Sequence, residues 1–488
     1  MNSQTNVKQF QMYINGEFVN ASSGEVIQVL NPATEKVISE VPSCSKEEVQ
    51  EAIECAEAAQ KEWKKKPAAE RAKYLTRLAE EIRKNRDFLA RVISEEQGKV
   101  LALSTTEVDF TADYIDYMAG SARTYEGEIL QSDRPNENIM IFKEPIGVVA
   151  GFLPWNFPFF LVARKAAPAL VTGNTIVIKP SSDTPNNAIE FAKLVDKVGI
   201  PKGVFNLVTG RGGTVGDELA SNEKIGLVSL TGSVDAGVSV MKAAAQNVTK
   251  VSLELGGKAP AIVAEDADID LAVKAIVDSR IINTGQVCNC AERVYVHESI
   301  AAPFIKKIVT SMKNVKYGNP LEDEGLDMGP LTNKQAIESI EAMVNRAVEE
   351  GAQVLTGGKR ADVTPGYYYE PTVLVNVKQD SEIVQEEVFG PVLPIMTFKD
   401  LDEAIELAND CQYGLTSSIF TQNLDTAMRA ANELLFGETY INRENFEAIQ
   451  GFHAGRKKSG IGGADGKHGL EEFLQTHVVY LQHNSNKR

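Results

Sequence analysis

The stretch IGVVAGFLPWNFPFFLVARKAAPALVTGNTIVIKP, residues 146–180, decides how the chain is built. IGVVAGFLP is a short apolar, β-branched run and reads as a buried strand, LVARKAAPAL as a helix closed by Gly173, and NTIVIKP as the next strand. The pattern continues downstream. TPNNAIEFAKLVDKVG predicts a helix with Thr184 as N-cap, Pro185 at its first position and Gly199 beyond its end. GVFNLVTG and IGLVSLTG are further strands, with TVGDELAS helical between them. Repeated strand–helix–strand units imply an α/β fold with a parallel sheet covered by helices on both faces.

Ligands of such sheets bind beyond the carboxyl ends of the strands, where the loops PWNFP, KPSSDTP, TGRGG and LTGSVDAG fall. A second α/β unit is expected after the strand KVSLELGGKAPAIV (250–263), with KQAIESIEAMVNRAVEEG as a helix and PTVLVNV as a strand. Two segments fit neither unit: 126–144 and the tail THVVYLQHNSNKR. Both read as extended arms whose apolar residues need another surface, most economically a partner subunit.

Composition narrows the function. The 488 residues suffice for stable cores without disulfides or structural metals. A net charge of −17 disfavours nucleic acid and anionic membranes as partners. With no leader pattern and no apolar stretch of about 18 residues, the expected address is cytoplasmic, where the five cysteines are thiols. No metal site is expected, because the cysteine and histidine spacings do not supply four ligands. GRGGTVG misses the dinucleotide fingerprint at Val215, and GSVDAGVS lacks the phosphate-loop lysine at Val238, which disfavours an NTPase. In NTGQVCNCAER (283–293), Cys288 and Cys290 follow an apolar helix in what reads as an exposed polar turn, which makes a nucleophile credible.

Several motifs now stand in order: PWNFP, NTIVIKPSSDTP, LTGS, LELGGKAPAIV, NTGQVCNCAERVYV, EEVFGPV and KKSGIGGADGKHGL. Their order and spacing resemble the aldehyde dehydrogenase superfamily over nearly the whole chain. DRPNENIMIFKEPIG, TYINRENFEAIQGFHAG and the second cysteine of QVCNC are similar to its lactaldehyde/glycolaldehyde branch. The resemblance implies an atypical Rossmann-type cofactor domain (1–125 and 145–254), a catalytic domain (255–468) and an oligomerisation arm (126–144 and 469–488) of a homotetramer, a dimer of dimers. It implies NAD(P)-dependent oxidation of small hydroxyaldehydes to acids through a cysteine thiohemiacetal and thioester. A semialdehyde or general aliphatic aldehyde dehydrogenase is the alternative, and a catalytically silent member is the rival of another class.

The same resemblance assigns Cys288 as nucleophile, Glu254 as base for the hydrolytic water and Asn156 as oxyanion donor. Cys290 is left as a bystander or as pocket lining. Cofactor contacts would come from Trp155, Lys179, Ser182, Gly232, Ser233, Glu387 and Phe389. Ser182 stands where NAD-selective members carry glutamate, so NADP is admitted beside NAD. Arg164, Asn289, Glu447 and His453 are polar residues expected around the substrate tunnel, with the bland alternative that Arg164 and Glu447 only pair with each other and His453 is partly exposed.

Overall fold

The computed structural model describes residues 7–483. Its first layer is an eight-stranded sheet in the order Gly460–Ile461, Lys250–Glu254, Ile225–Thr231, Val148–Phe152, Thr175–Lys179, Phe205–Leu207, Met12–Ile14, Glu17–Val19. The five central strands are parallel, and antiparallel strands flank them at both edges. Val148, Ala150 and Phe152 enter one hydrophobic cluster while Val149 enters another, so both faces of this strand are buried. That double burial is why the run reads as continuous apolar sequence rather than as alternation.

The chain leaves Val148–Phe152 toward Thr175–Lys179 on one side, then returns to place Ile225–Thr231 on the other. The strand order reverses there. A crevice opens at such a switch point, and PWNFP and LTGS are the loops that border it.

A second, seven-stranded sheet runs Gln353–Thr356, Thr372–Val375, Val392–Phe398, Ala291–His297, Ala259–Val263, Thr416–Phe420, Glu438–Ile441, and only its first strand is antiparallel. The run 250–263 is therefore two strands in two sheets, not one. Residues 255–258 cross between them, and glycine makes the crossing possible: a Cβ on Gly257 would lie 2.2 Å from the Cys288 carbonyl oxygen, and one on Gly256 2.5 Å from the Glu387 carboxylate. The segment 255–468 also returns Gly460–Ile461 to the first sheet, so the two sheets share chain in both directions.

The arm segments Glu128–Gln131, Glu137–Pro145 and Leu474–Gln482 pair with one another in a three-stranded antiparallel sheet. They pair with one another, yet Ile129, Leu130, Phe142, Val478, Tyr480 and Leu481 stay exposed. Residues 1–6 of the expected cofactor domain and 484–488 of the expected arm lie outside the described residues.

One cap differs from expectation. The helix Asn186–Lys197 begins after Pro185, and Thr184 makes no capping bond. The buried Glu96 accepts from the backbone N–H of Asn186 and of Asn187, both at 2.8 Å, because a carboxylate satisfies two orphan donors where one hydroxyl satisfies one. Glu107 does the same for the helix Pro158–Thr172, accepting from Phe159 and Phe160 at 2.9 and 3.1 Å, while its other oxygen pairs with Lys99 at 2.5 Å.

Candidate active site

Cys288 sits in the turn between the helix Ile269–Ile281 and the strand Ala291–His297. The turn is buried, not exposed: Asn283, Thr284, Gly285, Gln286 and Val287 are all inside, as are Asn289 and Cys290, and only Cys288 is half-buried. Asn283 and Thr284 have φ of +46° and +61°, and Gly285 follows at +77°. For threonine this left-handed conformation is strained. Tertiary hydrogen bonds hold it: Thr284 Oγ1 donates to Gly329 O at 2.9 Å, Asn283 Nδ2 to Asn156 O at 3.1 Å, and Gln286 Oε1 accepts from Thr332 N at 2.9 Å. The polar residues of NTGQ are thus internal struts, which is why their composition reads as surface.

Asn156 reaches the same turn from PWNFP. Its Oδ1 accepts from Phe157 N and its Nδ2 donates to Gln286 O, both at 3.0 Å. An amide carries two N–H donors, so one is left over beside Cys288 in the shared cavity wall. Cys290 points elsewhere: its Sγ contacts Val287 O, and burial pushes its thiol up to about 12. It lines neither of the two recesses that meet at Cys288.

The smaller recess has a volume of about 60 Å³ and is walled by Phe110, Phe157, Phe160, Asn156, Asn289 and His453 among others. Arg164 organises its polar side. Its Nε donates to Asp465 Oδ1 at 2.9 Å, a second bond links Nη2 to Asp465 Oδ2, and Glu254 and Glu447 each lie 3.6 Å away. Asn289 Nδ2 donates to Glu447 Oε2 at 2.6 Å. His453 is buried rather than partly exposed, with Nδ1 2.6 Å from Glu438 Oε1, and Tyr440 donates to the other Glu438 oxygen. Burial and Arg164 depress the imidazole, but Glu438 and Cys288 outweigh them and leave it well above its ordinary range. For the Cys288 thiol, burial pushes upward and His453 pulls downward, with burial the larger.

Glu254 ends the strand Lys250–Glu254 and lines the larger recess with Cys288. Burial would raise its carboxyl, but Lys165 and Arg164 overcome this and hold it below the usual range. Thr231 Oγ1 donates to Oε2 at 3.0 Å and Arg164 contacts the same oxygen. Oε1 makes no hydrogen bond among the described residues.

The larger recess, about 520 Å³, occupies the switch point. Trp155, Gly232, Ser233, Glu387 and Phe389 line it, and Ser233 caps the helix Val234–Ala244 by accepting from Ala236 N at 3.2 Å. Such a helix end offers free N–H groups to a phosphate. Trp155 and Phe389 meet edge to face across it at 5.3 Å. Phe389 is itself at φ +55°, with its N–H held by Glu292 at 3.1 Å. Glu387 accepts from Gly257 N at 2.9 Å, and burial with the nearby Glu292 charge pushes its carboxyl up to about 8. Lys179 and Ser182 lie outside this lining: Lys179, pushed down to about 8 by burial, donates to Pro180 O, and Ser182 donates to Gly210 O at 3.2 Å.

Residues 18–479 match the model of the aldehyde dehydrogenase family. The chain belongs to that family. As a member it is an oxidoreductase acting on the aldehyde group with a nicotinamide cofactor, and the catalytically silent alternative is set aside. It is 61% identical to lactaldehyde dehydrogenase of Escherichia coli over 97% of this chain and 99% of that protein. A crystal structure of that enzyme superposes with a TM-score of 0.97, covering 98% of this chain and 100% of the other. An NADP(+) D-glyceraldehyde dehydrogenase of Picrophilus torridus is 41% identical over 97% of this chain and 96% of its own length. A betaine aldehyde dehydrogenase from Staphylococcus aureus in complex with NAD+ is 38% identical, with a TM-score of 0.95 over 98% and 95% of the two chains.

With the family in hand, the residues that motif reading passed over stand out: Asp465, Glu438, Tyr440 and Thr231, which hold Arg164, His453 and Glu254 in place. Asp465 lay inside a quoted motif, GGADGKHGL, and a lone acid between glycines was the available signal. Glu438 had none. No helix of the described residues is long and apolar enough to cross a membrane.

Proposed function

We propose that this aldehyde dehydrogenase oxidises small α-hydroxyaldehydes, lactaldehyde and glycolaldehyde, to their acids, with NAD and also NADP as acceptor. The observation that carries the reading is the small recess beside Cys288. Its volume of about 60 Å³ admits only about five water-sized groups, and beside its aromatic rings the wall carries Asn156, Arg164, Asn289, Glu447 and His453. Arg164 is committed to three carboxylates and His453 to Glu438, whereas Glu447 and Asn289, which bond each other at 2.6 Å, still have lone pairs and a second amide N–H to offer a substrate hydroxyl. A site that pairs a hydroxyl rejects the analogue lacking it, because its own polar groups would lose a partner.

Cys288 adds to the aldehyde carbon and forms a thiohemiacetal, whose oxyanion the spare Asn156 N–H and the Cys288 N–H stabilise by a few kcal/mol per donor. The nicotinamide, when bound, supplies the acceptor for hydride. The recess at the switch point fits such a cofactor: a helix N-terminus at Ser233 for the pyrophosphate and Glu387 and Phe389 for the nicotinamide end, while Lys179, outside the lining at the end of its strand, would reach the adenine ribose. Glu254, held ionised, takes a proton from the water that cleaves the thioester through its uncommitted oxygen. Ser182 puts no charge against a 2′-phosphate, and relatives of both cofactor kinds support dual use.

The exposed apolar side chains of the arm sheet support assembly into a homotetramer, and the five unpaired thiols support a cytoplasmic setting. The test is kcat/KM over lactaldehyde, glycolaldehyde, propanal and acetaldehyde with each cofactor. Higher values for the two hydroxyaldehydes are expected. A preference for propanal would return the enzyme to general aliphatic aldehydes.

A further inference from the structure

Glu292 is a buried carboxylate that the chemistry at Cys288 does not use. It lies two residues beyond Cys290 on Ala291–His297, an inner strand of the second sheet, and is 1% exposed. Its Oε2 accepts from Lys258 Nζ at 2.8 Å and from Val388 N at 3.0 Å, its Oε1 accepts from Phe389 N at 3.1 Å, and Arg280 Nη1 lies 3.2 Å from Oε1. Burial would raise the carboxyl, but Lys258 and Arg280 overcome this and hold it well below the usual range, so it stays an acceptor and carries no proton. The cations are anchored in turn. Lys258 ends the crossing 255–258 between the sheets, and Arg280 donates to Ala291 O at 3.1 Å and to Gly285 O at 2.5 Å, in the turn that carries Cys288.

Pairing with the two cations accounts for a buried carboxylate. It does not account for two successive backbone N–H groups of EEVFG (386–390) converging on the same group. Phe389 is at φ +55°, a backbone conformation that is strained for a bulky side chain and persists only where its surroundings fix it. On either side of Val388, Phe389 meets Trp155 edge to face and Glu387 accepts from Gly257 N at 2.9 Å, both in the lining of the larger recess. We infer that Glu292 is a positioning residue for the cofactor: by accepting from Val388 and Phe389 it sets the loop that presents Glu387 and Phe389 to the nicotinamide end of that recess. The inference rests on the proposed reading that these two side chains face the nicotinamide.

The test is binding without aldehyde. The whole enzyme is titrated by calorimetry with NAD+ and with ADP, which shares the adenine and pyrophosphate but has no nicotinamide half. Glu292→Gln puts an NH2 group where an acceptor stood, so NAD+ affinity should fall about tenfold while ADP affinity stays within about twofold. Glu292→Asp keeps the charge that Lys258 and Arg280 need but is one methylene short of the loop; it should show the same selective fall, and it carries the test if Glu292→Gln does not fold. Phe389→Ala should likewise weaken NAD+ and spare ADP. Unchanged NAD+ affinity in the Glu292 variants, or an equal fall for NAD+ and ADP, overturns the inference while Phe389→Ala still weakens NAD+. Unchanged NAD+ affinity in Phe389→Ala overturns the reading of the loop and this inference with it.

Discussion

On one side of Cys288 lies a recess of about 60 Å³ whose charged groups already hold one another: Arg164 with Glu254, Glu447 and Asp465, and His453 with Glu438. On the other lies a recess of about 520 Å³ bordered by glycine backbone, a helix N-terminus and two ring edges. The first resembles a protein core with charges in it, so its residues contribute to folding and selectivity at once. The second leaves room for a large ligand and holds fewer paired charges, so its residues contribute mainly to affinity. Substitutions on the two sides should therefore fail differently.

The largest effects belong to the shared wall. Cys288→Ala should abolish reduced-nicotinamide formation while cofactor still binds, and Cys290→Ala should keep most turnover, both read by absorbance and by cofactor titration. Glu254→Gln should release a burst of about one reduced cofactor per site and then turn over slowly. A steady state at wild-type rate with no burst would remove Glu254 from hydrolysis.

Next comes Arg164. Arg164→Met leaves the buried Glu254 and Asp465 and the half-buried Glu447 without their shared cation and should cost about 3–5 kcal/mol in urea unfolding, where breaking a buried ion pair is expensive. Glu387→Gln on the cofactor side should change stability by under about 1 kcal/mol, since it exchanges a carboxyl for its isostere at a group that burial already pushes up to about 8. Equal losses would erase the distinction between the two sides.

Glu447→Gln should narrow the preference for lactaldehyde over propanal by about 1–3 kcal/mol in kcat/KM, the loss of one charge-assisted hydrogen bond. Retained preference would show that the hydroxyl is held elsewhere. A comparably modest effect is expected at Ser182, which lies off the cleft lining: Ser182→Glu should lower kcat/KM for NADP about tenfold and for NAD little, by like-charge repulsion of a 2′-phosphate. The same fall for both cofactors would place Ser182 away from the 2′ position.

By itself the sequence determined the layers and the class of reaction. Strands buried on both faces are unbroken apolar runs, helices are punctuated by Gly173 and Gly199, and both signals are local, so they read without tertiary knowledge. Cys288, Glu254 and Asn156 stood out as candidates because each sits in a motif with its own composition, and the fold brings the three to one cleft wall. What the tertiary structure alone decided is who satisfies whom. Arg164 and Asp465 are 301 residues apart, Glu96 caps a helix 90 residues on in place of Thr184, and the run 250–263 breaks into two sheets where Gly256 and Gly257 let the backbone pass Cys288 and Glu387. A buried charge must find a partner or neutralise, but the partner is set by proximity in the folded chain, and no local pattern encodes that distance.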